Sequence, residues 1–140
     1  MALLEIRMKK KVVVFGIFDG VHEGHRSLFS QAKQHGDELF VIVGRDSVSL
    51  KLKNKTPKFA QEKRVALVQR ENNVDQAVLG DEEQSTYTAL KESNPDVICL
   101  GYDQEALEQD LKRWLSKEGR DILLYRMEPH QPEKYHNSFL

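Results

Sequence analysis

The sequence predicts an α/β fold in which helices cover both faces of one five-stranded parallel sheet. Three observations carry this. Short continuous apolar runs, rich in β-branched residues, recur along the chain and suit strands buried on both sides. Between successive runs lie helix-length segments, which call for right-handed crossovers and hence parallel neighbours. A length of 140 residues with 39% apolar content suffices for one domain, spanning 1–140, with a real core.

Taken in order, residues 11–15 form the first strand, since Val12 to Phe15 are too few for a helix and run into Gly16 and a polar turn. A helix over 24–35 follows, with Leu28, Phe29 and Ala32 at helical spacing and Gly36 as a stop. Residues 39–44 are the second strand. The stretch 45–58 holds Lys51, Lys53, Lys55, Pro57 and Lys58 without a helical apolar period, and reads as a loop. Then come a helix over 61–72, a strand over 77–80, and a helix over 86–93 before the Asn94-Pro95 break. A strand over 96–100, an amphipathic helix over 105–117 ending at Gly119, and a strand over 122–125 complete the pattern. The tail beyond carries two prolines and little periodicity.

In such a sheet ligands gather beyond the carboxyl ends of the strands, where strand order reverses. The junction 12–25 is therefore the first place to look. A strand, a glycine-bearing loop and a helix start aim backbone N–H groups and a positive dipole end at one spot, which suits a phosphate. His22 and His25 stand three apart with Gly24 between them, so both imidazoles can face one bound group. Imidazole donors there can steady charge on a phosphoryl centre; the alternative is that they merely cap a surface loop. Asp19 can support the loop or hold a hydrated metal, and an Asp after a strand commonly bonds nearby backbone N–H groups. Lysines 51, 53 and 55 can act as mobile cations for phosphates or remain solvated. Arg64 is either a phosphate ligand or a partner for Glu62 or another acid. In GYDQ, Asp103 and Gln104 can read a ribose or base edge, or simply turn the chain into the next helix.

GIFDGVHEGH resembles the GxFDxxHxGH signature of the cytidylyltransferase-like nucleotidyltransferases, and the resemblance runs over nearly the whole chain. FDGVHEGH is also similar to the adenylyltransferase half of bacterial flavin-nucleotide synthases. LGYDQ is similar to the archaeal-type FAD synthases, the stand-alone FMN adenylyltransferases of this family. The resemblance implies a Rossmann-like nucleotidyltransferase fold and transfer of a nucleoside monophosphate from ATP, or CTP, to a phosphate-bearing acceptor such as FMN, with Mg²⁺ accompanying the triphosphate. It implies catalysis by His22, His25 and a loop lysine, chosen as Lys55 for its nearness to the EKR segment. It also implies nucleotide contacts from Gly16, Ile17, Phe18, His22, Gly24, His25, Gly101, Asp103, Gln104, Arg126 and Ser138, no metal ligands of the protein's own, and a homodimer.

Two departures from the family pattern matter. Many members have Thr where this chain has Ile17. Glycerol-phosphate and choline-phosphate cytidylyltransferases carry RTEGISTT where this chain keeps Arg126 and, of the hydroxyl run, only Ser138. That implies a weaker grip on pyrophosphate, or replacement by His136 and Asn137. The alternatives to an FMN adenylyltransferase are thus a glycerol-3-phosphate cytidylyltransferase and a non-catalytic nucleotide-binding homologue.

Composition narrows the setting. A net charge of −1 gives no case for nucleic acid. The lone Cys99 lies in the apolar run VICL, which excludes an internal disulfide and points to a buried core thiol in a reducing cytoplasm. No apolar run approaches a membrane span, and the start MALLEIRMKKK lacks the apolar core of a secretion signal.

Overall fold

The computed structural model describes residues 9–83 and 86–130. Its elements are β1 (Lys11–Gly16), α1 (Glu23–Lys33), β2 (Glu38–Val43), α2 (Asp46–Lys53), α3 (Gln61–Gln69), β3 (Gln76–Leu79), α4 (Thr88–Ser93), β4 (Val97–Leu100), α5 (Glu105–Glu118) and β5 (Leu123–Arg126). The strands make one five-stranded sheet in the order β3-β2-β1-β4-β5, every neighbouring pair parallel.

Alternation along the strands builds a core on each face. Val12, Val14, Leu39, Val41, Val43, Val97 and Cys99 point one way, into a cluster with Phe29 and Ala32 of α1 and Val68 of α3. Val13, Ile42, Ile98 and Leu100 point the other way, against Leu90 of α4 and Leu111 of α5. Period-two side-chain placement thus explains why the strands read as continuously apolar. Burial pushes the Cys99 thiol up to about 12, which keeps it protonated and unreactive.

Strand order reverses between β1 and β4. The β1–β2 register continues to Gly16↔Val43, whereas the β1–β4 register is recorded only through Val13↔Ile98. Beyond that point a crevice opens at the carboxyl ends of the strands.

One element departs from the sequence reading. Residues 46–53 are helical rather than loop. Val48, Leu50 and Leu52 recur every second residue and so give no helical stripe; the helix is held instead from outside. Asp46 sits in its first turn and pairs with Arg64, Ser49 is buried, and Lys51 and Lys53 stand in the last turn, favoured by the dipole. Asn54 ends it in the left-handed region at φ 52°.

Candidate active site

A cavity of about 1130 Å³ occupies the crevice and is lined from the loops after β1, β2, β3, β4 and β5 and from α1, α2, α4 and α5. The β1–α1 junction forms one wall of it. His22 is the N-cap of α1: its Nδ1 accepts from the Gly24 backbone N–H at 3.0 Å. His25 returns the arrangement, its Nδ1 accepting from the His22 backbone N–H at 3.3 Å. The rings stack with centroids 3.8 Å apart and 23° between planes. Because each Nδ1 serves as acceptor, each neutral ring carries its proton on Nε2.

Burial first, and then the neighbouring His22, pull the His25 pKa down to about 4, against a smaller opposing effect of the Gly20 carbonyl. His25 is therefore a neutral donor at physiological pH. Glycine is required between the two histidines, since a Cβ on Gly24 would stand 2.9 Å from Cε1 of His22. Gly16 is required likewise: its Cβ would meet Cζ of Phe18 at 2.5 Å. Phe18, left-handed at φ 54° and 4% exposed, packs edge-on to His25 with centroids 5.0 Å apart. The bulky residue in that backbone region is held by its burial.

Asp19 supports the loop, accepting from the Lys58 and Phe59 backbone N–H groups at 2.7 and 2.9 Å. Those two bonds hold its carboxyl below the usual range. Arg64 is fully buried and is not itself a lining residue of the cavity. Its Nε donates to Phe59 O at 3.0 Å, Nη1 to Ile17 O at 2.8 Å and Gly44 O at 2.6 Å, and Nη2 to Asp46 Oδ1 at 2.5 Å. One guanidinium thus brackets the loops after β1 and β2 and the segment entering α3.

Of the expected nucleotide contacts, Gly16, Ile17, Phe18, His22, Gly24, His25, Gly101, Asp103 and Gln104 line the cavity. Two expected residues are placed outside the lining. Lys55 lies past the end of α2, outside the lining, and its carbonyl accepts from Ser49 Oγ at 3.2 Å; Lys53, on the last turn of α2, lines the cavity instead. Arg126 is not a lining residue either, because Glu108 of α5 engages its Nε at 3.1 Å and its Nη2. Gln104 is in the cavity wall, but its amide is engaged. Its Oε1 accepts from Gly101 N at 2.8 Å and its Nε2 donates to Phe15 O at 3.0 Å, tying the ends of β4 and β1 together. Ser138, with His136 and Asn137, lies outside the described residues.

Sequence reasoning passed over the loop after β3. Asp81 lines the cavity and organises the turn into α4, accepting from Thr86 Oγ1, Thr88 N and Ala89 N. Those bonds outweigh the opposing effect of burial and lower its pKa. The signal was slight: an acidic run after a very short strand reads as an ordinary turn. Tyr87, Asp110 and Arg113 also reach the lining. Among the described residues no helix is long and apolar enough to cross a membrane.

Comparison with known proteins extends this picture. Residues 13–139 match the family model described as cytidylyltransferase-like. The chain is 41% identical over 117 residues to a FAD synthase of Thermoplasma acidophilum, covering 84% of this chain and 81% of that one. It is 37% identical over 131 residues to a FAD synthase of Methanocella arvoryzae, covering 94% and 91%. Among solved structures it superposes on a lipopolysaccharide core biosynthesis protein of Thermoplasma volcanium with a TM-score of 0.81 at 35% identity, over 89% of this chain and 100% of that one.

Proposed function

The chain belongs to the cytidylyltransferase-like family, and on that premise we propose that it is an FMN adenylyltransferase, making FAD and pyrophosphate from ATP and FMN. The observation that carries this is the capped histidine pair at the switch point of the sheet, in a chain 37% to 41% identical to two FAD synthases. An FMN phosphate oxygen attacks the α-phosphorus of ATP. The bond from that phosphorus to the bridging oxygen breaks, and pyrophosphate leaves with the electron pair. No covalent enzyme intermediate is needed, so positioning and charge neutralisation carry the rate.

His22 and His25 offer Nε2–H donors to the transferring and leaving oxygens, the N-terminus of α1 adds its dipole, and Lys53 adds a cation from the rim. Among the described residues no group of three or more His, Cys, Asp or Glu side chains is placed to hold a metal. In this reading a divalent cation, Mg²⁺, would arrive with the triphosphate, be held chiefly by its oxygens and water, and neutralise phosphate charge.

The test offers ATP or CTP with Mg²⁺ against FMN, glycerol 3-phosphate or no acceptor, and measures pyrophosphate and the coupled product. FAD from ATP and FMN is the expected result. A CDP-linked product would point to the alcohol-phosphate cytidylyltransferase alternative, and nucleotide binding without product in any combination would point to a non-catalytic homologue.

A further inference from the structure

The sheet consists of two leaves that part at the site. On one side β1 pairs with β2 to its last residue, Gly16↔Val43, and Gly44 N donates to Gly16 O at 2.8 Å. On the other β4 pairs with β5 to Leu100↔Arg126, and Met127 N donates to Leu100 O at 2.7 Å. Between the leaves the β1–β4 register stops at Val13↔Ile98, although β1 runs on to Gly16 and β4 to Leu100. The side chain of Gln104 stands in that gap. Its Oε1 accepts from Gly101 N at 2.8 Å and its Nε2 donates to Phe15 O at 3.0 Å, so the amide is inserted where a further ladder bond would otherwise join the strands directly. Gln104 is also the N-cap of α5, yet its side chain makes no bond to its own helix. An N-cap ordinarily spends its side chain on the first helical turn. Here it is spent across the sheet.

Resting on the adenylyltransferase reading, we propose that Gln104 is a positioning residue, a wedge that fixes the spacing between the ends of β1 and β4 and so aligns the two halves of the nucleotide site for attack. One leaf carries the loop with His22 and His25, the other carries Gly101 and Asp103, and all four residues line the cavity. A nucleoside triphosphate held by both leaves reaches in-line geometry at one spacing only, and a displacement of about 1 Å costs about 10² in rate. With both polar atoms of the amide held by backbone, the effect of Gln104 runs through that spacing. It bears on the rate of transfer more than on the affinity for either substrate. Length matters as well as polarity, because asparagine is one methylene short of reaching both strands from the same N-cap.

The experiment measures kcat, KM for ATP and for FMN, and thermal melting in wild type, Gln104→Met, Gln104→Asn and Gln69→Met. Gln69 supplies the matched control. Its Oε1 accepts from Ala77 N at 2.8 Å and its Nε2 donates to Asp75 O at 3.3 Å, the same two-ended clamp on backbone but outside the cavity lining. Asparagine is a favoured N-cap, so Gln104→Asn supports the start of α5 while losing the bridge. Both Gln104 variants should lower kcat for FAD formation about thirtyfold with both KM values within about threefold, whereas Gln69→Met should lower melting as Gln104→Met does and keep kcat within about twofold. Wild-type kcat in both Gln104 variants, an equal loss of kcat in Gln69→Met, or a change falling only on KM would overturn the wedge while FAD synthesis stands. Wild-type protein that forms no FAD would overturn the adenylyltransferase reading itself, and the wedge with it.

Discussion

At the β1–α1 junction, His22 and His25 each accept a backbone N–H at Nδ1, and both residues line the cavity. Behind it, Arg64 spends Nε, Nη1 and Nη2 on three carbonyls and Asp46, and is fully buried. Both are basic groups beside the same loop, and an arginine next to a phosphate-binding turn looks from sequence like the better anion ligand. The difference teaches that function follows the hydrogen-bonding capacity left over after folding, not residue type. In the proposed reading the histidines act on a ligand, and the arginine holds the loops beside them.

Mutations can break this contrast. The largest effect is expected from His25→Ala, which should lower kcat for FAD formation by about 10³ through loss of a preorganised donor; steady-state kinetics measures it. Arg64→Met should act through the fold. It strands the Ile17, Gly44 and Phe59 carbonyls and the Asp46 carboxylate, and should cost about 3 kcal/mol in urea unfolding. Were Arg64→Met to abolish turnover at unchanged stability, the division of labour between the two regions would be wrong.

Smaller effects sharpen it. Lys53→Ala should lower kcat/KM about tenfold while Lys55→Ala stays within about twofold, since only Lys53 lines the cavity. The pH response should bear the mark of His25. Its folded pKa of about 4 lies below the unfolded value near 6.5, so between those values the unfolded chain binds a proton that the folded one does not. Stability should therefore fall as pH drops from about 6.5 toward 4, and His25→Asn should flatten that slope in urea midpoints measured across the window.

The strand–helix alternation, the sheet and the His22–His25 junction were legible because they are local: apolar runs, a glycine between two histidines, a helix start. What escaped was set by contacts distant in sequence. The helix Asp46–Lys53 has no apolar stripe of its own and is anchored by Arg64, 18 residues from Asp46. With that segment read as a loop, Lys55 looked the nearest lysine, whereas the helix carries Lys53 to the cavity. Gln104 looked free to read a ligand because its partner, the Phe15 carbonyl, is 89 residues away. Arg126 was drawn off by Glu108 across α5 and β5 for the same reason.

The most direct test of a ligand-facing histidine pair is single-turnover FAD formation from ATP and FMN by His22→Asn beside wild type, with melting measured on both. Asparagine is a good helix N-cap, so the substitution keeps the cap of α1 and removes the Nε2 donor. FAD formation by wild type, slowed about 10² in the variant at unchanged melting temperature, is the predicted result. Wild-type rates in the variant, or a loss of rate matched by a loss of stability, would mean that His22 serves the fold and not the reaction.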